Sequence, residues 1–204
     1  ISVEAWVYRL NTNTAVVLAG QSDLATGAGS AYVFYVSSSS TSDLYSASGY
    51  SVTSPNPGIN QWAHVAWVRT GGTYSSYLNG VRVGNRTDLG TATVNTGSTT
   101  YAPSVGGFTS GSSVLTGYIS SLRFIKGSGG YNANDTNIVI PTAPPAPTQN
   151  TSLLLNFTGV GIVDSTGKNV VETVDNNAVQ TKVIQYGTGS MYFDGSGDYL
   201  KIQP

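Results

Sequence analysis

Two glutamates, Glu4 and Glu172, and eight aspartates are the only carboxylates in the 204 residues. Hydrolysing a glycosidic bond needs two carboxyl groups about 5 to 9.5 Å apart, one to protonate the leaving oxygen and one to attack or to activate water. A strand supplies such a pair when acids alternate at i, i+2 on one face. No strand-like run here carries two acids at that spacing, and the nearest pair, Asp194 and Asp198, flanks Gly195-Ser196-Gly197 in a turn. His64 is the single histidine, lying between Trp62 and Ala66 in a strand-like run, where packing or one satisfied hydrogen bond is its expected role. Without cysteine there is no thiol nucleophile or thiolate metal cluster. Gly127–Gly130 precedes no helix and so cannot cradle phosphate, and a nucleophile elbow is absent. The expectation is a chain that is not an enzyme.

Binding chemistry remains. Calcium takes carboxylate, amide and carbonyl oxygens from loops. Asp164 opens the turn-rich Asp-Ser-Thr-Gly stretch, with Asp23, Asp194 and Asp198 as further loop acids. The plainer role for each is to stabilise its own turn through side-chain hydrogen bonds to the backbone. Sugars need exposed rings to stack on, and Tyr45, Tyr50, Tyr101 and Tyr131 fall in loops or at strand ends. The plainer role for each tyrosine is to cap the end of a sandwich, ring inward and hydroxyl wet. Trp6, Trp62 and Trp67 lie within strands and are expected in the core.

Only 9% of residues are charged and the net charge is -1. Ser, Thr, Asn and Gly fill the polar positions, a neutral surface suited to carbohydrate or to neighbouring protein. A chain with no basic stripe does not neutralise phosphates, so neither nucleic acid nor an anionic membrane is an expected partner. No apolar run is long enough to insert in a bilayer as a helix. The chain starts at Ile1 inside a strand-like run, as expected of a segment of a longer polypeptide.

Period-two alternation dominates and helical patterning is nearly absent. Ile1–Tyr8 alternates Val3, Ala5 and Val7 against Glu4, Trp6 and Tyr8. Ala15–Leu18 and Ala31–Val36 read as strands, separated by a Gly/Ala/Ser loop over Gln21–Ser30. Trp62–Arg69, apolar on both faces, reads as a central strand covered on both sides. It leads through Gly71–Gly72 into Thr73–Leu78, and Asn79–Gly80 then predicts a type I′ hairpin into Val81–Asn85. Val105–Phe108 and Gly117–Ile125 follow, the latter alternating Tyr118, Ser120, Leu122 and Phe124 against Ile119, Ser121, Arg123 and Ile125. Pro141–Thr148 holds four prolines in eight residues, cannot join a central ladder, and predicts an extended strap of roughly 25 Å. Ser152–Phe157, Met191–Phe193 and Tyr199–Ile202 close the series. These last 50-odd residues hold too few apolar strands for a core of their own. A single domain over 1–204 is therefore expected, with a main body at 1–140, a strap at 141–149, and 150–204 completing the sandwich or beginning a next repeat.

Ile1-Ser-Val-Glu-Ala-Trp-Val-Tyr8, Trp62-Ala-His-Val-Ala-Trp67, Tyr77-Leu-Asn-Gly-Val-Arg-Val83 and Thr116-Gly-Tyr-Ile-Ser-Ser-Leu-Arg-Phe-Ile125 resemble, in order, successive strands of concanavalin-like, laminin-G-like jelly rolls. Ser152-Leu-Leu-Leu-Asn-Phe157, Asp164-Ser-Thr-Gly167 and Ser190-Met-Tyr-Phe-Asp-Gly-Ser-Gly-Asp-Tyr-Leu200 resemble the strands that open the same domain. The resemblance implies an all-β, two-sheet antiparallel jelly-roll sandwich, circularly permuted or cut from a tandem array. It also implies that the Asp164 loop is one that can contribute calcium ligands, making Asp164 the first metal candidate. The tail is similar to repeats of large structural proteins in marine bacteriophages and cyanobacteria. That implies a non-catalytic structural or adhesive module of a phage particle (tail fibre, head fibre or decoration protein) at the virion surface. Neighbouring subunits would be its partners, in an oligomeric or tandem-repeat setting, with a host glycan as a further contact. The alternative is a lectin-like carbohydrate-binding domain of a bacterial surface or extracellular protein.

Overall fold

Alternation in the first eight residues dictates a strand with one apolar face, which a second sheet must cover. The computed structural model describes residues 1–20, 32–45, 50–90, 102–157, 161–174, 179–181, 183–187 and 189–203, and every regular element among them is a strand. The first sheet contains β1 (Ser2–Arg9), β6 (Trp62–Thr70), β7 (Thr73–Leu78), β8 (Val81–Arg86), β10 (Thr116–Ile125), β11 (Thr151–Leu155), β13 (Val179–Thr181) and β14 (Ser190–Asp194). Its order is β13-β14-β10-β1-β6-β7-β8, with β11 beside the second half of β10, and every pairing is antiparallel. The second sheet contains β2 (Ala15–Gly20), β3 (Tyr32–Val36), β4 (Thr41–Tyr45), β5 (Tyr50–Thr53), β9 (Ser104–Val105), β12 (Val170–Val174) and β15 (Tyr199–Gln203), ordered β12-β15-β9-β2-β3-β4-β5.

The inward faces meet in one core that includes Val3, Ala5, Val7, Val17, Phe34, Val65, Trp67, Tyr74, Ile119 and Leu122. The last strands feed the same core with Leu153, Leu155, Met191, Phe193, Leu200 and Ile202. Two smaller clusters lie outside the sandwich layers. Ala66, Val68 and Tyr77, on the outer face of the first sheet, are covered by Ala133 and Ile138. Phe108 covers Val16, Ala19 and Val33 on the outer face of the second. Phe108 thus lies beyond its strand, which ends at Val105, to act as a lid and not as a ladder residue.

The hairpin at Asn79–Gly80 forms as its dipeptide demands, with φ of 48° and 81°. The residues 141–150 carry no strand, as the missing amide hydrogens of their prolines require. Asn156 donates to the Pro145 carbonyl, which ties this strap beside β11. Four strands are not legible in the sequence: β4, β5, β12 and β13. All are short, three to five residues, and all lie at or next to sheet edges, where burial does not enforce an apolar face.

Candidate functional site

The outer face of the first sheet carries the chemistry. In β1 it is the Glu4, Trp6, Tyr8 side, and β6 contributes His64 opposite Trp6 and Trp62 opposite Tyr8. β10 must put aromatic and polar groups on the same side, and a strict alternation would not do so for both Tyr118 and Arg123. A bulge resolves this. Ser121 adopts φ 53°, and the pairing with β1 shifts between Glu4 and Trp6, so that Tyr118 opposes Tyr8 while Arg123 opposes Glu4. Leu122 and Phe124 turn inward to the core as a result. The continuous alternation expected for Gly117–Ile125 is therefore corrected by one extra residue.

The first consequence is an in-register row of rings across four adjacent strands. Tyr192 on β14 pairs with Tyr118, Tyr118 with Tyr8, and Tyr8 with Trp62. All four side chains are half-buried. Tyr8 lies 5.6 Å from Trp62 and 5.7 Å from Tyr118, Trp62 and Tyr118 are 6.4 Å apart, and Tyr118 and Tyr192 are 5.1 Å apart between ring centres. Cross-strand aromatic pairs stabilise a sheet. Rings left partly exposed also offer apolar surface, with three phenol hydroxyls and an indole N–H at hand. Trp62 thus departs from its expected place in the core, whereas Trp67 is buried between the sheets. Trp6 is buried as well, but on the outer face beneath Tyr186, whose ring meets it edge-on at 5.3 Å.

The second consequence is a buried polar knot. The Glu4 carboxylate, 2% exposed, accepts from Tyr131 Oη at 2.6 Å and from His64 Nε2 at 3.0 Å on one oxygen. Its other oxygen accepts from Arg123 Nε at 2.6 Å and forms an ion pair with Nη2 of the same guanidinium. Burial pushes this carboxyl up, but the His64 hydrogen bond, the Arg123 charge and the Tyr131 hydroxyl together outweigh it and hold its pKa below the usual carboxylate range. Burial and the adjacent Glu4 charge push the Tyr131 phenol up, so it stays a donor. The knot joins β1, β6, β10 and the segment after β10, and it sets the floor beside the ring row. His64 Nδ1 and Trp6 Nε1, whose rings are 5.4 Å apart, are buried without a hydrogen-bond partner among the described residues.

The residues singled out from sequence do not converge. Tyr131 is the hydroxyl of this knot, and it also lines an open cleft of about 340 Å³ with Ile1, Ser2, Arg69, Thr70 and Asn132. Tyr50 sits on edge strand β5 with the Arg86 guanidinium 5.2 Å above its ring. Tyr45 pairs with Tyr50 through the backbone, while its side chain and all of Tyr101 lie outside the described residues, as does Asp23. Asp164 accepts five hydrogen bonds: Leu154 N (2.9 Å) and Thr166 N (3.0 Å) on Oδ1, and Thr166 Oγ1 (2.6 Å), Asn169 N (3.1 Å) and Asn169 Nδ2 (2.7 Å) on Oδ2. Burial raises its pKa, but these donors outweigh that and lower it. Both oxygens serve the loop. Asp198 accepts from Asp194 N at 2.9 Å across its Gly-Ser-Gly turn. Among the described residues no three His, Cys, Asp or Glu side chains gather as a metal site.

The ring row was hidden because its four members come from four strands up to 184 residues apart (8 to 192). One signal was present: Tyr8 shares the alternating face of Glu4 and Trp6, which the apolar face of β1 leaves outside the core. A sequence profile described as the concanavalin A-like lectin/glucanases superfamily, Laminin_G_3, matches residues 1–128. The chain belongs to this superfamily. Its Laminin_G_3 match ends soon after β10, yet the strands of 151–203 pair into both sheets. Among solved structures, a protein from Bacteroides ovatus ATCC 8483, provisionally described as carbohydrate binding, shares the fold with a TM-score of 0.53 at 18% identity. The similarity covers 82% of this chain and 49% of that one, so this chain spans about half of its neighbour. No curated protein matches the chain in sequence.

Proposed function

We propose that this superfamily member is a non-catalytic, lectin-like carbohydrate-binding module whose binding surface is the outer face of the first sheet. The observation that carries the reading is the in-register row Trp62–Tyr8–Tyr118–Tyr192, partly exposed on four neighbouring strands. Sugar rings present apolar C–H faces edged with hydroxyls, and partly exposed aromatic rings with polar tips match both features. The carbohydrate-binding description of the Bacteroides ovatus structure supports the same class of ligand. A neutral composition supports it too, since uncharged sugars ask for no counter-charge.

Glu4, the acid nearest the rings along its strand, is spent on holding Arg123, His64 and Tyr131. With both oxygens engaged and its proton gone, it has no general-acid work to do. The setting rests on the resemblance of the tail alone: a phage fibre or decoration protein, or a bacterial surface protein, either of which displays many copies. Many weak platforms acting together bind tightly without any new contact.

A glycan array followed by affinity electrophoresis tests the reading. The intact chain is expected to be retained by at least one neutral glycan. Trp62→Ala and Tyr118→Ala should each weaken that retention about tenfold, as loss of one stacking ring worth about 1.4 kcal/mol predicts, with an unchanged circular dichroism spectrum. Binding that survives both substitutions would place the site elsewhere. Release of reducing ends from a bound polysaccharide would overturn the non-catalytic part.

A further inference from the structure

A flat sugar ribbon needs a flat row of rings, because its successive pyranose planes are parallel and each can lie on an aromatic face only if those faces are parallel too. The rings here are not. Tyr8 stands at 68° to Trp62 and 80° to Tyr118, so it acts as a wedge between them. Trp62 and Tyr118 are tilted by 50°, and Tyr118 and Tyr192 by 43°. Neighbouring strands of a sheet rotate against each other by about 20 to 25°, so sheet twist supplies a sizeable part of the tilt between Tyr118 and Tyr192 on adjacent strands. Trp62 and Tyr118 stand two strands apart, about 10 Å at the usual spacing, yet their ring centres are 6.4 Å apart, so the row bends around Tyr8. A ligand following it meets a new ring plane at every step.

Charge narrows the ligand further. The next rank along the same face pairs Thr116 with Asp194, two residues on from Tyr118 and Tyr192 in opposite directions along their strands. Asp194 therefore sets a carboxylate beside one end of the row. Arg9, the cation next to Tyr8 in sequence, is 1% exposed and turned away, with its guanidinium on Asn13 O, Pro57 O and Asn56 Oδ1. An anionic sugar would meet repulsion at this end with no cation from β1 to offset it.

We infer that this face selects a single, neutral glycan chain whose sugar planes turn from one unit to the next, as in α-1,4- or β-1,3-linked glucans, over the flat ribbon of a β-1,4-glucan. The inference rests on the carbohydrate-binding reading above and adds the shape and charge of the ligand. Calorimetry of the full chain with maltohexaose, laminarihexaose and cellohexaose tests it, alongside retention on microcrystalline cellulose and on alginate. At least one of the two turning hexasaccharides should bind tenfold or more tightly than cellohexaose, with no retention on cellulose or alginate. Tyr192→Ala should weaken that binding about tenfold, whereas Tyr192→Phe, which keeps the ring, should change it less than threefold. Equal or tighter binding of cellohexaose, or retention on cellulose, overturns the inference and leaves the carbohydrate reading intact. Tighter retention on alginate overturns the charge part in the same way. Binding of none of these probes while another neutral glycan on an array is held also overturns only the inference. Silence on the whole array overturns both.

Discussion

Glu4 is the residue on which the polar chemistry of the outer face converges. Its unfolded carboxyl takes up a proton near pH 4.5, and the folded one only at lower pH. Its contribution to stability is therefore complete above about pH 4.5 and is lost as the pH falls through the folded value. Asp164, lowered in the same direction, adds a loss of the same sign. Glu4→Gln, which leaves Arg123 and His64 without their anion, should cost about 3 kcal/mol at neutral pH. It should also flatten the acid limb of the stability curve, as urea denaturation at about pH 7 and pH 4 would show. At Asp164 the five donors already in place predict that excess calcium followed by EDTA leaves the melting temperature unchanged. Asp164→Asn should instead lose about 2 kcal/mol, because an amide group would then face the three donors now on Oδ2. From sequence alone both residues could be placed, Glu4 on a strand and Asp164 in a turn. Their partners could not, since Arg123 lies 119 residues from Glu4 and local periodicity carries no information over that distance.

β10 decides the site among the elements. Its bulge at Ser121 lets one strand present Tyr118 and Arg123 outward while Ile119, Leu122 and Phe124 face the core. The conformation at Ser121 is one a β-branched residue resists. Ser121→Val should cost about 2 kcal/mol, whereas Ser121→Gly should stay within about 0.5 kcal/mol of the parent in chemical denaturation. One residue before Tyr118, the backbone of β10 passes so near β1 that a Cβ on Gly117 would lie 2.0 Å from the Tyr8 carbonyl oxygen. Gly117→Ala should push these strands apart, cost about 2 kcal/mol, and weaken glycan binding by disturbing the Tyr8–Tyr118 pair. Alternation made β1, β6, β7 and β10 readable as strands, and turn chemistry made the β7–β8 hairpin readable. The bulge was not readable, because a single serine in the left-handed region has no sequence signature.

In the whole molecule, the first and the last strand both lie inside a sheet and not at its edge. β1 has β10 and β6 on its two sides, and β15 has β9 and β12. Core residues Leu153, Leu155, Met191, Phe193, Leu200 and Ile202 all follow the proline strap. A protease site inserted within 141–149 is expected to yield two fragments that still co-elute under native conditions, since the cut backbone has no ladder to lose. Residues 1–140 expressed alone should be insoluble, because the faces that met those six side chains become exposed. The sandwich class was legible from alternation and turns, whereas the placing of the last strands beside β10 and β9 depends on contacts that no local pattern encodes. The central position of β1 also governs time. β1 precedes its partner β10 by more than a hundred residues, and β15 follows its partner β9 by more than ninety. Closing loops of that size before any pairing can offset their entropy makes folding slow, on the order of milliseconds to seconds. During synthesis the edge of β1 that β10 will cover therefore stays open, and sticky, until more than a hundred further residues have been made.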